Sequence, residues 1–444
     1  MAYPASAPKK PDTADAAPVD ASGLIKLALV SCLVGMLTGL VAALFRLAIE
    51  RADRNRDLLI GWAHGSPLLG FFFIVGLVAA MTAVACWTVQ RFSPYATGSG
   101  IPHVEAVVNG ELPPTPFSLL PVKFFGGWMA IGGGLALGRE GPSVQMGANI
   151  GSLLGRFFRL NQTDCIALLA GGAGAGLATA FNAPIAGAVF VLEELVRRFD
   201  VRIATAALGA SAGAIAVARL FLGQAPDFTV EMLPYPGIGS GFLFLALGVL
   251  AGLAGVAYNR SVLGALALSD RLRRWPKPVR AAMIGAGVGA VAWFGPGLVG
   301  GGDLLTQRAL GGGAVLAVLP LVFAMRFVLG AASYAAGTPG GLFAPMLVLG
   351  AQMGLLFAAF CHLGLKDLGA PPAAFAVVGM AAFFTAVVRA PVTGIILAIE
   401  LTGGFTQLLA MLWACFAAMV VPILLGDRPI YDSLKERTLT TTLK

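Results

Sequence analysis

The stretch GREGPSVQMGANIG, Gly138 to Gly151, sets an ionisable pair, Arg139 and Glu140, inside one of the most apolar parts of the chain. Gly138, Gly141 and Pro142 frame the pair, and these residues interrupt helices. A charged side chain at bilayer depth is costly and marks a functional site by default. Bilayer depth is the relevant setting. Of 444 residues, 57% are hydrophobic and 12% charged, against roughly 25% charged in soluble domains; the mean hydropathy is +0.84. Apolar runs such as LIKLALVSCLVGMLTGLVAALF and LLGFFFIVGLVAAMTAVACWTV recur along the chain. Each can cross the roughly 30 Å hydrocarbon core as a helix. The predicted fold class is an all-α polytopic membrane protein.

Composition also excludes functions. The net charge of +8 is spread over loops and ends, with no basic patch interleaved with aromatics. It reads as membrane-surface charge, with the lipid bilayer and not nucleic acid as its partner. Cys32, Cys86, Cys165, Cys361 and Cys415 are scattered without metal-ligand spacing and read as reduced small hydrophobes. His64, His103 and His362 lie far apart, so neither a metal nor a cofactor is expected. An enzyme would need a nucleophile with its base or a metal cluster, and neither pattern occurs. Residues 1–23 are rich in Ala, Pro and Asp and lack a signal-peptide pattern; they are expected to be a disordered cytoplasmic tail.

Glycine is abundant, and it falls into two settings. GGWMAIGGGLALG and GGAGAGLATA fit close helix packing. GSGIP, GREGP and GTPGGLFAP pair glycine with proline and fit helix breaks. Residues 143–158, 165–180, 183–195, 373–388 and 391–402 are apolar segments that read as too short to span alone. Discontinuous helices of this kind build midplane ion sites.

The chain repeats itself. FNAPIAGAVFVLEEL resembles VRAPVTGIILAIELT, with Pro184 and Pro391 207 residues apart (391 − 184). GREGPSVQMGANIG has a looser counterpart in GGLFAPMLVLGAQMG, with Pro142 and Pro345 203 apart (345 − 142). Two half-repeats are expected at 24–223 and 240–426. Residues 224–239 would connect them, and 427–444 would form a C-terminal pore-lining segment and short cytoplasmic tail.

The breaks at Gly98–Pro102, Gly138–Pro142 and Gly340–Pro345 each precede an apolar run. Proline suits the first turn of a helix, and the first amides of a helix are unsatisfied and partly positive. Three such ends aimed at one spot make an anion site without a full cation. Glu140 beside them is a built-in anion mimic, in the site when ionised and out of it when protonated. The bland alternatives are a structural Arg139–Glu140 pair, Ser99 as a helix cap, and Tyr431 as an interfacial anchor. For Glu194 the alternative is an ion pair with Arg197 or Arg198.

In order and in kind, GSGIP, GREGP, GGLFAP and the later RPIY resemble the CLC family of chloride channels and chloride/proton antiporters, over about residues 24 to 440. The resemblance implies two inverted-topology halves with many tilted and broken helices, and a homodimer with one pore per subunit. It implies that the hydroxyls of Ser99 and Tyr431 and the amides of Leu342 and Phe343 bind chloride. Gly98, Gly100, Pro102, Gly138, Arg139, Gly141, Pro142, Gly341 and Pro345 would shape the site. Glu140 would gate the pore and Glu194 would carry protons on the inner side, leaving Glu193 and Glu400 structural. Lys123, Arg326 and Arg389, inside apolar stretches, would add positive potential or pair with buried carboxylates. His103 stands where many relatives are acidic. The implied function is a chloride/proton antiporter of the bacterial inner membrane with both termini cytoplasmic. The alternatives are a passive chloride channel, or an antiporter for nitrate or fluoride.

Overall fold

A computed structural model describes residues 21–365 and 369–442. The expected tail at 1–23 lies outside the described residues as far as residue 20. Residues 21–23 are already helical, because the apolar run behind them extends its helix back over them. The first half contains α1 (Ala21–Ala63), α2 (Pro67–Phe92), α3 (Ile101–Val108), α4 (Leu119–Gly132), α5 (Glu140–Phe157), α6 (Gln162–Phe181), α7 (Pro184–Phe190) and α8 (Val201–Leu222). The second contains α9 (Gly241–Arg271), α10 (Lys277–Phe294), α11 (Asp303–Leu310), α12 (Leu319–Tyr334), α13 (Phe343–Cys361), α14 (Pro372–Val388), α15 (Pro391–Thr402) and α16 (Leu408–Leu424). A last helix, α17 (Ile430–Thr442), follows.

Among the described residues α1, α2, α6, α8, α9 and α13 are long and apolar enough to cross a membrane. This corrects the expectation for 165–180. The helix there starts earlier, because the Asn161 side chain accepts from the Asp164 amide at 2.8 Å. It ends later, where Asn182 adopts a left-handed φ of 51°. The resulting 20-residue helix has 89% of its apolar window buried within the protein, so it packs in the core and not against lipid.

Small residues explain how such a helix is buried. Gly147 of α5 and Gly172 of α6 approach so closely that a Cβ on either would overlap the other's carbonyl. Gly350 of α13 and Gly379 of α14 do the same in the second half. They stand 203 (350 − 147) and 207 (379 − 172) residues further on, the offsets of the proline pairs. The packing partners repeat too. α1 against α8, α5 against α6, and α6 against α8 recur as α9 against α16, α13 against α14, and α14 against α16.

Among the pairs that join the halves are α2 with α10 and α7 with α15. In the first, a Cβ at Gly70 would meet Trp293, while Gly289 lies on Val75 and Gly285 on Thr82. In the second, the end of α7 meets the start of α15 and the reverse. Both pairs therefore run antiparallel. Equivalent helices packed antiparallel need a two-fold axis perpendicular to them. For membrane-crossing helices that axis lies in the membrane plane, and the halves are inverted.

α7 passes into a single π-turn over Val191–Leu195, an irregularity that concentrates at functional sites. It carries Glu193 and Glu194.

Candidate functional site

The three Gly/Pro breaks meet. Gly98 donates to the Thr338 carbonyl at 3.0 Å and accepts from the Gly340 amide at 3.1 Å; Gly138 and Gly341 exchange amide–carbonyl bonds at 2.8 Å. These rungs bring together the starts of α3, α5 and α13. Gly98 and Gly100 take positive φ, 63° and 83°, which a side chain would strain. Gly141 is needed for space: a Cβ there would sit 2.8 Å from the Cα of Ser99. Pro102, Pro142 and Pro345 fall in the first turns of α3, α5 and α13, where no amide is required. Leu342 and Phe343 open α13.

Ser99, Glu140, Phe343 and Tyr431 are all buried around this meeting point. The Phe343 and Tyr431 rings stack at 6.2 Å between centroids. Tyr431 lies within electrostatic reach of both Glu140 and Glu194. Its hydroxyl has no hydrogen-bond partner among the described residues, nor has Glu140 Oε2. A fully buried Tyr431 is not an interfacial anchor. Ser99 Oγ does accept from the Ile101 amide at 3.3 Å, at the start of α3, and the Ser99 side chain also lies within hydrogen-bonding reach of the Tyr334 hydroxyl. Hydroxyl and amide donors without a touching cation suit a small anion that must come and go.

The Arg139–Glu140 pair is overturned. Arg139 turns away to Asp303 at 2.8 Å and Asp227 at 3.3 Å, and its Nε donates to the Ala180 carbonyl at 3.1 Å. The Glu140 carboxylate instead lies toward Gly138 and Ala344, near the amides of Glu140 and Ala344. Of the three intramembrane cations, Arg389 has a carboxylate, Asp427, at 3.6 Å. Lys123 donates to the Ala96 and Gly98 carbonyls at 3.0 and 2.7 Å, and Arg326 to those of Leu298, Gly300 and Gly301. These two hold backbone carbonyls, so of the two expected roles carboxylate pairing fits Arg389 and not Lys123 or Arg326. Glu193 accepts from the Val392 and Thr393 amides at 3.0 and 2.6 Å, and Glu400 from those of Ile185 and Ala186 at 3.0 and 2.7 Å. Each caps the other half's helix. Glu194 is buried and keeps one contact to Arg197 at 3.3 Å.

Sequence reasoning missed Tyr334. Its hydroxyl accepts from the Ser99 amide at 3.5 Å and would touch any Cβ at Gly98. No motif marks it. The one signal is a tyrosine ending an apolar helix just before GTPGG. His103 is buried, with its ring 4.7 Å from that of Tyr95.

Three cavities reach the site. One of about 130 Å³ is lined by Asp53, Arg56, Glu140 and Asp303. A second, about 520 Å³, is lined by Gln90, Gly98, His103, Lys277, Arg280 and Tyr334. A third, about 560 Å³, is lined by Glu193, Glu194, Arg197, Arg198 and Arg389. The first opens near the end of α1 and the second near the end of α2, which returns across the molecule, so they lie on opposite faces. Leu434, Arg437 and Thr438 of α17 line the second, and Pro429, just before α17, lines the third, so these two open on the same face.

Comparison with known proteins agrees with this geometry. A family model described as voltage gated chloride channel matches residues 81–422. The chain is 37% identical over 420 residues to the H(+)/Cl(-) exchange transporter ClcA of Vibrio parahaemolyticus, covering 93% of this chain and 89% of the relative. It is 38% identical over 416 residues to the ClcA of Vibrio cholerae strain M66-2, covering 92% and 89%. The crystal structure of a slow cyanobacterial Cl-/H+ antiporter superposes with a TM-score of 0.91 at 33% identity, covering 94% of this chain and 99% of that one.

Proposed function

Because the chain belongs to the CLC family of chloride channels and antiporters, we propose that it is a secondary active chloride/proton antiporter of the bacterial inner membrane. It moves ions and makes no covalent change in them. One observation carries the reading. The cavity at Glu140 lies on the face opposite two separate cavities, one at Gly98 and Gly100, which flank Ser99, and one at Glu194. That is the plan of a shared outer path with divergent inner ones.

In this reading the Ser99 and Tyr431 hydroxyls and the Leu342 and Phe343 amides hold chloride. The glycines and prolines of the three breaks let the backbone come close. An ionised Glu140 occupies the outer position and excludes chloride. A protonated Glu140 loses its attraction to the helix ends and leaves. Its proton then passes inward to Glu194, while chloride goes past Ser99 to the cavity lined by Gly98, His103 and Tyr334. Glu194 does not line that cavity, so the two routes separate. The working division is two half-repeats, 24–223 and 240–426, with 224–239 between them and 427–444 behind. It is supported by the repeated helix pairing. The protein is a homodimer with one pore per subunit, both termini in the cytoplasm, by resemblance to the family.

The test is the reversal potential of purified protein in liposomes under opposed chloride and proton gradients. An antiporter departs from the chloride Nernst value as the proton gradient changes. A chloride Nernst value at every proton gradient makes the protein a channel and refutes the reading. In Glu194→Gln, proton movement stops while chloride continues; a parallel loss of both in folded protein removes Glu194 from the proton path.

A further inference from the structure

At the third cavity one guanidinium stands between two carboxylates. Arg197 Nη2 donates to Asp432 Oδ1 at 2.7 Å and to Glu194 Oε1 at 3.3 Å, and Nη1 donates to Asp432 Oδ2 at 3.2 Å. These contacts are unequal. Charge-assisted N–H···O bonds run about 2.7–2.9 Å, and two-point guanidinium–carboxylate pairs are the stronger kind. Arg197 is therefore seated on Asp432 by a fork and meets the Glu194 carboxylate through one long contact. Its Nε donates to the Glu194 carbonyl at 3.2 Å, which keeps the head close to the glutamate. Exposure follows the same order. The Glu194 side chain is 3% exposed, that of Asp432 30% and that of Arg197 42%. Glu194 lines the third cavity beside the guanidinium.

The other charged groups nearby are engaged elsewhere or stand further out. Lys435, one turn along α17 from Asp432, holds Glu105 at 2.8 Å and Glu111 at 3.7 Å. Arg389 holds Asp427. Glu193 caps α15. Arg198 lines the same cavity.

We infer that Asp432 is a positioning residue for proton transfer: it draws Arg197 off Glu194, so that the glutamate is free to take up and release a proton. The inference rests on Glu194 being the proton carrier proposed above. Without Asp432 the same guanidinium would turn its fork onto Glu194. A buried carboxylate gripped at two points by a cation is a fixed ion pair and a poor proton acceptor. With Asp432 present, a proton from cytosolic water bonds to a Glu194 oxygen as the single long Arg197 contact breaks. Arg197 stays paired with Asp432, and no cation is left without a partner. Asp432 directly follows Tyr431, so the helix that offers a hydroxyl to chloride also keeps the proton port open.

The experiment measures chloride efflux and proton uptake together in liposomes. Asp432→Asn is expected to lower proton flux roughly fivefold or more, with chloride flux within about twofold of parent. Adding Arg197→Met to Asp432→Asn removes the cation that would clamp Glu194, and proton flux is expected to return to within about twofold of parent. Asp432→Glu keeps the fork and should keep the parental ratio. A parental proton-to-chloride ratio in Asp432→Asn overturns the inference. So does a loss that the double variant fails to rescue, which would make Asp432 a proton donor in its own right. If Asp432→Asn does not fold, Arg197→Met alone decides: retained proton flux supports the inference and lost flux overturns it. A parent that moves no protons against chloride refutes the antiporter reading instead, and that is seen before any variant is made.

Discussion

Glu193 and Glu194 are neighbours in sequence with opposite fates, and replacing Glu193 separates them. Glu193→Ala removes the acceptor for the Val392 amide, the Thr393 amide and the Thr393 hydroxyl, at 3.0, 2.6 and 2.7 Å. Val392 is 50% exposed, so water can replace its bond, whereas Thr393 is fully buried. Two donors are then stranded. A buried unsatisfied polar group costs about 1–3 kcal/mol, so the loss should be on the order of 3 kcal/mol. The mirror variant Glu400→Ala strands one buried donor, Ala186, because Ile185 is 56% exposed. It should cost about half as much, roughly 1.5 kcal/mol. The assay is thermal unfolding in detergent followed by tryptophan fluorescence. A fall in Tm of roughly 3–6 °C is expected for Glu193→Ala, and about half that for Glu400→Ala. Glu193→Gln keeps an acceptor oxygen and should fall between Glu193→Ala and parent, with an unchanged proton-to-chloride ratio. Unchanged Tm in both alanine variants would refute the capping argument. Loss of proton coupling in well-folded Glu193→Gln would give Glu193 the role assigned to Glu194.

Three further outcomes follow from the pore. Glu140→Gln keeps the shape of the gate without its charge; proton flux should fall to background while chloride still moves, as measured by the same paired fluxes. Ser99→Pro removes a hydroxyl donor and the amide that meets Tyr334, and the nitrate-to-chloride flux ratio should rise severalfold; identical ratios would remove Ser99 from the pore. Gly141→Ala pushes a methyl into the backbone of Ser99 and should weaken chloride binding about tenfold, or 1.4 kcal/mol, by calorimetric titration, with the fold retained.

The positions of the site's backbone were legible because glycine and proline carry their conformational demands locally. GSGIP, GREGP and GGLFAP name their helix starts without any distant partner, and α3, α5 and α13 begin there. The duplication was legible because its offset survives in prolines, and the glycine contacts between helices keep the same spacing. What sequence could not supply were choices made across long separations. Glu193 and Glu400 find their amides on the other half. Tyr334 reaches Ser99 from 235 positions away. Lys123 and Arg326 end on backbone carbonyls, and nothing in an apolar stretch distinguishes that fate from a carboxylate partner. The apolar run at 165–180 is shorter than α6, because the capping Asn161 and the residues up to Asp164 are polar and carry no apolar signal. Arg197 was named as a partner for Glu194, but its stronger attachment to Asp432 required the start of α17 to be seen beside the end of α7.

The crossed caps of α7 and α15 also bear on how such a chain could arise. Each half offers a carboxylate at the end of one short helix and bare amides at its beginning, too far apart along that helix to satisfy each other. A precursor consisting of one half alone would meet both needs only against a second copy lying head to tail, which in a bilayer means a copy inserted the other way up. Its gene would have had to yield both orientations, and few lysines and arginines biased to one side would permit that. Once duplicated and joined, each copy could commit to its own orientation and diverge, as the starts of α5 and α13, one with Glu140 and the other with Phe343, have done. Glu193 and Glu400, which hold helix amides across the two halves, would then be the residue of that earlier assembly, still joining two proteins that became one.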